Sequence, residues 1–595
     1  MRRSRKTRAH AGYGAGSLDP ADARELPALK ARHAAPSIAV IVLAVFVAFQ
    51  PALRNGFVAW DDDENLVGNP HIRTLSVENL RWMARSSHIG VWQPLAWFVT
   101  AVEYRAFGAD DPTAFRRGLQ WVSLGLHAVA AVLCFFLVVR LMTSALRGDA
   151  RLRSTSLAIG ATVGALFFAI HPLRVEVVAW ASGQPYLLAT VAALAATLVY
   201  LKAWRSRRRR WYAAAFLFLA AALLCKSIAV PLPIVWLLLD FYPLRRFDAP
   251  LGRRLHAARD VLVEKIPYLA IAGVVAVLAY RANPSISVSQ VDPFGVRSLI
   301  VSYALMLYAG LTFVPVGIAP YYARPHPIET IQSDPWFLCA GLAVLVISVV
   351  AVLFRRRRPC FSVLWFAHVF LVLPTAGLVL HGGQLAANRY TLLPAVAWST
   401  LVGALSAIGW GAARGGRRRR RIRFALAAAA VVVMVGLGAR ARTGCRVWHD
   451  SVSLWRAMVR RNPGWPNGPY QLGKLYRARG DVVAAERSYR RALEIYPGYP
   501  EANVNLGILL QARGELDAAS RHYRRALEER PRFHMAHYNL ACLLIRQARY
   551  AEALEHLKQA EADAIQTDPG KLPIIRARLR EVRPLVGRRS GLSRE

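Results

Sequence analysis

The chain has 595 residues, 55% of them hydrophobic, with a mean hydropathy of +0.27 and 77 Lys+Arg against 36 Asp+Glu. That is too apolar for an ordinary soluble protein and too charged for a bare membrane bundle, so membrane and solvated parts must alternate along it. The six cysteines, Cys134, Cys225, Cys339, Cys360, Cys445 and Cys542, show no C-x-x-C spacing, which argues against a disulfide framework, a zinc module and thiol-redox chemistry.

In chain order, a basic segment, 1–36, precedes apolar runs near 37–53, 118–139, 156–170, 186–201, 212–225, 228–242, 266–280, 337–354, 360–380, 391–410 and 424–439. About eleven spans are expected. The segments 1–36, 140–155, 202–211, 243–265, 355–358 and 414–423 are rich in Lys and Arg and are separated by even numbers of crossings. Positively charged short loops stay on the cytoplasmic side, so these segments are expected there, with the loop 54–117 and the C-terminal third outside. The stretch 298–316 would break this parity and is expected to lie on the outer leaflet without crossing. Arginine runs such as Arg207 to Arg210 and Arg417 to Arg421 are orientation signals on this reading, and no nucleic-acid binding is expected.

Directly after the first span come Asp61, Asp62, Asp63 and Glu64, four consecutive carboxylates. Crowded like charges beside a low-dielectric boundary raise one another's pKa and suit proton acceptance or cation binding; the plainer alternative is a solvated turn capping a helix. Outside the cytoplasmic segments, the first loop and the C-terminal third, only six basic residues remain: Arg174, Lys226, Arg281, Arg297, Arg324 and Arg389. All six fall at expected outer ends of spans or in outer loops.

Beyond the last span, Pro463, Pro497 and Pro531 stand 34 residues apart, and so do Leu472, Leu506 and Leu540. A 34-residue period is the signature of tetratricopeptide repeats, and the small residues where paired helices cross recur with it: Gly473, Gly507, Ala541; Ala485, Ala519, Ala553; Ala492, Ala526, Ala560. The expected organisation is a membrane domain over 37–440, a half-repeat linker over 441–465, three repeats over 466–567, and a capping helix with a basic tail over 568–595. Tyr489 and Tyr523 are expected between the paired helices, and Asn503 and Asn505 along a partner-binding groove.

The run Phe57-Val58-Ala59-Trp60-Asp61-Asp62 is followed by Trp92-Gln93-Pro94-Leu95, by His171-Pro172-Leu173-Arg174-Val175-Glu176, by Lys226 with Leu232-Pro233, and by Leu239-Asp240-Phe241-Tyr242-Pro243-Leu244. Glu264-Lys265-Ile266-Pro267, Asn388-Arg389-Tyr390-Thr391 and Trp448-His449-Asp450 come later in the same order. Together these motifs resemble bacterial tetratricopeptide-repeat membrane proteins similar to the transmembrane-and-TPR O-mannosyltransferases.

The resemblance implies an all-α polytopic bundle of GT-C type followed by a TPR solenoid. It also implies a multi-pass protein of the bacterial cytoplasmic (inner) membrane, with its repeats exoplasmic or periplasmic. The implied activity is sugar transfer from a polyprenyl-phosphate donor to a protein or glycan hydroxyl on the exoplasmic face, the repeats recruiting the acceptor or a protein partner. Asp61 and Asp62 match the catalytic acidic pair, with Asp62 the preferred base; Arg389, Lys226 and Arg174 are the implied donor-phosphate ligands. Asp63, Glu64, His171, Glu176 and Asn388 support them, Glu176 alternatively pairing with Arg174. No protein-bound metal is assigned, although a divalent cation could sit at the acidic cluster. The chain departs from the family at Asn388, where Asp is usual, at Gly183-Gln184-Pro185-Tyr186, where charged residues are usual, and at Gln120 and Ser123. If these positions touch substrate, the sugar or acceptor differs or the core is degenerate. A non-catalytic, membrane-anchored TPR scaffold is the competing reading, and a transporter or glycan polymerase a third.

Overall fold

The computed structural model describes residues 29–108, 111–149, 153–248, 250–282, 293–325, 328–377, 384–413 and 416–592. It divides into two compact units after Asp450. The expected 441–465 linker is therefore split: residues 446–450 belong with the membrane unit and the next helix with the array.

In the first unit, α1 (Ala31–Phe49) leads into the acidic loop, which carries α2 (Val77–Arg85) and α3 (Pro94–Phe107). This loop has its own small core of Leu66, Ile72, Met83, Trp97, Phe115 and Leu119, so the acidic run is held by packing. α4 (Pro112–Ala145) starts at a proline and is capped by Asp111, which accepts from Thr113 N at 2.7 Å. α5 (Ser154–Ala169) and α6 (Val175–Ala179) form a span bent by 48° around His171-Pro172, where proline removes a helix hydrogen bond. α7 (Gln184–Ser206), α8 (Arg209–Cys225), α9 (Leu232–Phe241) and α10 (Arg254–Arg281) follow. The unit continues with α11 (Phe294–Phe313), α12 (Pro335–Leu353), α13 (Pro359–Val372), α14 (Pro394–Ala412) and α15 (Gly416–Cys445). A two-stranded antiparallel piece pairs β1 (Tyr322–Ala323) with β2 (Gln384–Ala386). The end bearing the acidic loop is the loop end; the opposite one, bearing the Arg-rich connections, is the arginine end.

Among the described residues eight helices are long and apolar enough to cross a membrane, or nine with the bent α5–α6 pair. This is fewer than the eleven expected. Three of the apolar runs become the shorter helices α8, α9 and α13, of 17, 10 and 14 residues, because Lys226, Pro231 and Leu373-Pro374 interrupt them. α11 is itself long and apolar enough to cross. Its contacts, however, run across the loop end: Tyr303 stacks on Phe337 at 4.4 Å, Thr312 O receives His171 Nε2 at 3.0 Å, and Phe313 meets Trp398 at 5.3 Å. α5 and α14 touch backbone to backbone, since a Cβ at Gly160 would stand 2.4 Å from Gly403 O and one at Gly164 2.4 Å from Ser399 O.

At the arginine end lies a buried charge network. Lys265 Nζ meets Asp240 Oδ2 at 2.7 Å and Glu264 Oε1 at 2.9 Å, while Arg246 meets Asp240 at 3.2 Å and Glu264 at 2.8 Å. The Tyr200 hydroxyl sits among them, donating to Asp240 and accepting from Lys265. Two acids and two bases balance.

The second unit opens with α16 (Ser451–Arg461) and continues as three antiparallel pairs. These are α17 (Asn467–Ala478) with α18 (Val482–Ile495), α19 (Pro500–Ala512) with α20 (Leu516–Glu529), and α21 (His534–Arg546) with α22 (Tyr550–Thr567); α23 (Leu572–Leu592) closes the array. Tyr489 and Tyr523 are fully buried, and their rings fill the space a Cβ would need at Gly473 and Gly507, which is why glycine and tyrosine recur together. The expectation for the asparagines fails. Asn503 and Asn505 are buried, the first bonded to Pro497 O, Tyr499 O and His522 within its own repeat, the second to Glu501 O and to Arg477 of the preceding repeat, so both are internal.

Candidate active site

The acidic run follows a tight 3-10 turn, Gln50–Arg54, and is tied down by Asn55, whose side chain donates to Ala179 O and Cys445 O at 3.3 and 3.1 Å. Gln120, one of the departures from the family, donates to Asn55 O and is thereby occupied in holding this turn. The four carboxylates then separate.

Asp62 is completely buried and turns inward: Oδ2 accepts from Val58 N at 2.9 Å, and Oδ1 accepts from Ser182 N at 3.0 Å and Ser182 Oγ at 2.6 Å. Burial pushes its pKa up to about 6 even though these bonds pull it down. Asp63 and Glu64 are exposed on a π-type turn. Asp61 is half-buried and lies within electrostatic reach of two cations. Burial raises its pKa above 3.8, Arg389 and Lys226 draw it back, and Glu64 pushes it up again. The contacts speak against the sequence preference for Asp62 as base: its Oδ2 is held by Val58 N and its Oδ1 by Ser182, whereas Asp61 lies within electrostatic reach of Arg389 and Lys226. Nor do the four carboxylates converge on a cation site, and no group of three His, Cys, Asp or Glu among the described residues could hold a metal ion.

Arg389 and Lys226 share an aromatic box. Arg389 pairs with Glu176, donates to Tyr186 Oη at 3.2 Å and lies 4.9 Å from the centre of the Tyr390 ring and 5.5 Å from that of Trp180. Lys226 stands 4.8 Å from the centre of the Tyr186 ring and donates to Gln93 Oε1 at 2.8 Å. Among the described residues Lys226 has no carboxylate in ion-pair contact, so its positive charge is unmatched at close range. A cavity of about 430 Å³ lies against it, with Tyr186, Tyr390 and Arg324 on the polar wall and Ala276 and Tyr280 of α10 on the apolar one. The outer face of α10 exposes Val274 and Val277, so this side borders hydrocarbon.

The other expected residues lie behind this box. Arg174 is buried, donates to Thr391 Oγ1 at 2.9 Å and lies 5.5 Å from the centre of the Phe168 ring, away from the Lys226 cavity. Glu176 pairs with Arg389 and not with Arg174; its Oε2 has no hydrogen-bond partner, and the residue lines a second cavity of about 350 Å³ with Asn388, Arg440 and Thr443. His171 caps the turn after α5, accepting from Leu173 N and donating to Thr312 O, which marks it as a neutral fastening group. Asn388 accepts from Tyr322 Oη at 2.8 Å and donates to Ala319 O at 2.7 Å. Gln93, Ser182, Tyr186 and Tyr390 complete the site without having been assigned roles from sequence, and Arg324, one of the six outer basic residues, joins them. Gln93 and Tyr390 stand inside quoted motifs, and Tyr186 closes the segment flagged as a departure.

The tetratricopeptide repeat family matches residues 476–537 and 522–555. Protein O-mannosyl-transferase TMTC4 of Homo sapiens is 22% identical over 507 residues, covering 76% of this chain and 65% of that protein. Protein O-mannosyl-transferases Tmtc2 and Tmtc1 of Drosophila melanogaster are 32% and 30% identical over 209 and 193 residues, each alignment covering 20% of the fly protein. The chain thus spans less than two thirds of the length of these relatives. Among solved structures, the APC/C hetero-tetramer Cut9–Hcn1 aligns over 85% of this chain at 12% identity, and its TM-score of 0.22 is too low to bear on the fold. The chain is an all-α polytopic membrane protein with a TPR solenoid, moderately similar to O-mannosyltransferases.

Proposed function

We propose that this protein is a membrane glycosyltransferase of GT-C type that moves a hexose, mannose by analogy with its relatives' names, from a polyprenyl phosphate to a protein hydroxyl. The observation that carries the reading is that Asp61 lies within electrostatic reach of Arg389 and Lys226, and that Lys226 lines a cavity bordered by the lipid-facing helix α10.

In this reading the acceptor hydroxyl, whose own pKa lies far above 7, gives its proton to Asp61 as its oxygen attacks the anomeric carbon. The bond from that carbon to the phosphate oxygen breaks, and the phosphate leaves with the electron pair. Lys226 and Arg324 stand where that developing charge would fall, on the polar wall of the cavity, and the Tyr186–Tyr390 box keeps Lys226 away from bulk water, which strengthens its field. Arg389, already neutralised by Glu176, orients the box and tunes Asp61. The cavity on the far side of Glu176 gives an acceptor a route separate from the lipid side. An exoplasmic site in a bacterial inner membrane, with the array recruiting the acceptor protein, completes the proposal.

The test is incubation of the full chain in proteoliposomes with a panel of polyprenyl-phosphate sugars and a Ser/Thr-rich protein acceptor. Transfer from one donor names the sugar. No transfer or hydrolysis from any donor would favour the membrane-anchored scaffold.

A further inference from the structure

We infer that the membrane unit holds one anionic phospholipid at its arginine end, its hydrocarbon chain in an apolar cavity separate from the candidate active site. The cavity, about 270 Å³, lies among α4, α7, α9, α13 and α14. It follows α14 from Leu393 to Ile408, about 22 Å of helix.

Its walls are almost entirely aliphatic, and the few polar side chains on them are satisfied. Thr197 Oγ1 donates to Ala193 O at 2.9 Å, Thr400 Oγ1 to Val396 O at 2.8 Å, and Tyr242 Oη to Ala145 O at 3.2 Å. Water entering such a space finds no partners, so it stays dry, and an unfilled dry void forfeits packing energy in proportion to its volume. Leu405, on the cavity wall, is 60% exposed and marks where the space meets the outside of the bundle. The solvent there is lipid hydrocarbon, which makes a lipid chain the natural filler.

The rim supplies the headgroup chemistry. At the arginine end the cavity is bounded by Leu146, Pro243 and Cys360. Arg147 follows the first, Arg245 stands two residues beyond the second, and Arg358 stands two before the third. Arg147 Nε is buried and has no hydrogen-bond partner, and none of the three arginines has a carboxylate in ion-pair contact among the described residues. A dry slot for a chain, with three arginines within two residues of its rim, fits a phosphate-bearing lipid, because guanidinium binds phosphate oxygens in paired, charge-assisted hydrogen bonds. The contrast with the charge network of Asp240, Glu264, Arg246 and Lys265 at the same end is direct: there every charge is matched within the protein.

The experiment is native mass spectrometry of the full chain released from nanodiscs made with equimolar dioleoylphosphatidylglycerol and dioleoylphosphatidylcholine. The wild type is expected to retain one phosphatidylglycerol. Ala404→Phe, which fills the cavity, should lose it, and Arg147→Gln should retain either lipid without preference. Should Ala404→Phe fail to fold, the Arg147→Gln result alone decides, since that side chain lies at the rim. Equal retention of both lipids by the wild type, or retention of phosphatidylglycerol by a folded Ala404→Phe, overturns the proposal. So does one-for-one displacement by added polyprenyl phosphate, which would assign the slot to the donor's own chain.

Discussion

The two buried charge clusters of the membrane unit are built from the same residue types and reach opposite ends. At the arginine end, Asp240 and Glu264 are matched by Arg246 and Lys265 around the Tyr200 hydroxyl, every pair within 3.2 Å. At the loop end, Arg389 is paired with Glu176, but among the described residues Lys226 meets only the amide of Gln93 and the ring of Tyr186, and the Asp61 carboxylate accepts no hydrogen bond. A saturated network in low dielectric is rigid and gains nothing from a ligand. An unsaturated one beside a cavity leaves charge for a substrate to complete. In the sequence the two sets of motifs look equally functional; the geometry shows one saturated and the other with an unmatched cation beside a cavity.

Breaking the saturated cluster should cost the most stability. Lys265→Met leaves Asp240 without one of its cations in a buried setting and should destabilise the membrane unit by about 3–5 kcal/mol, read as a fall in the melting temperature of detergent-solubilised protein. The donor KM of whatever protein remains folded should be unchanged. Lys226→Met should do the reverse: little change in melting, but donor KM raised by about 10- to 100-fold, the worth of one charged hydrogen bond of about 1.5–3 kcal/mol.

Asp62→Asn sharpens the division within the acidic run. Asn keeps one acceptor oxygen but cannot accept from both Val58 N and the Ser182 pair, so the loop should loosen by about 1–3 kcal/mol. Its activity loss should recover on cooling, which a loss of chemistry would not do.

An effect that appears only as a pH dependence is expected at Glu103, buried on α3 with Gln184 Nε2 donating to it at 3.1 Å. Burial pushes its pKa up from 4.5 to about 8. The folded state therefore binds this proton more tightly than the unfolded chain, so the stability it confers is complete below pH 4.5 and is lost as pH rises through about 8. Glu103→Gln should flatten that part of the stability profile, by up to about 1.4 kcal/mol per pH unit, without altering donor KM.

Legibility followed the range over which each signal acts. The repeat array could be read because its 34-residue period repeats a local packing rule, the tyrosine ring over a glycine, and the structure shows that contact at Gly473 and Gly507. The cations near Asp61 could be read because few charges are tolerated between apolar runs, so Lys226 and Arg389 stood out by subtraction. The choice between Asp61 and Asp62 could not, because it depends on Ser182, which lies 120 residues away and meets Asp62 only once α6 and α7 are placed. Nor could the burial of Asn503 and Asn505: their partners His522 and Arg477 come from neighbouring helices, and polar residues on a repeat helix read as groove until those helices are seen. Where the helices of the apolar runs stop could not be read either, because hydropathy reports apolar composition, whereas Pro231 and Pro374 decide where helices end.

The division between a scaffold cluster and a chemical one rests on Asp61. The measurement that addresses it most directly is the pH profile of sugar transfer by wild type and Asp61→Asn in the proteoliposome assay, with melting recorded for both. The wild type should show a rising limb with a midpoint above the ordinary aspartate value of 3.8, reflecting a carboxylate that must lose its proton to act. Asp61→Asn should melt like the wild type and fall by about 10²- to 10⁴-fold across that profile. Full activity in Asp61→Asn with the rising limb intact would contradict the account and leave the acidic run a structural loop.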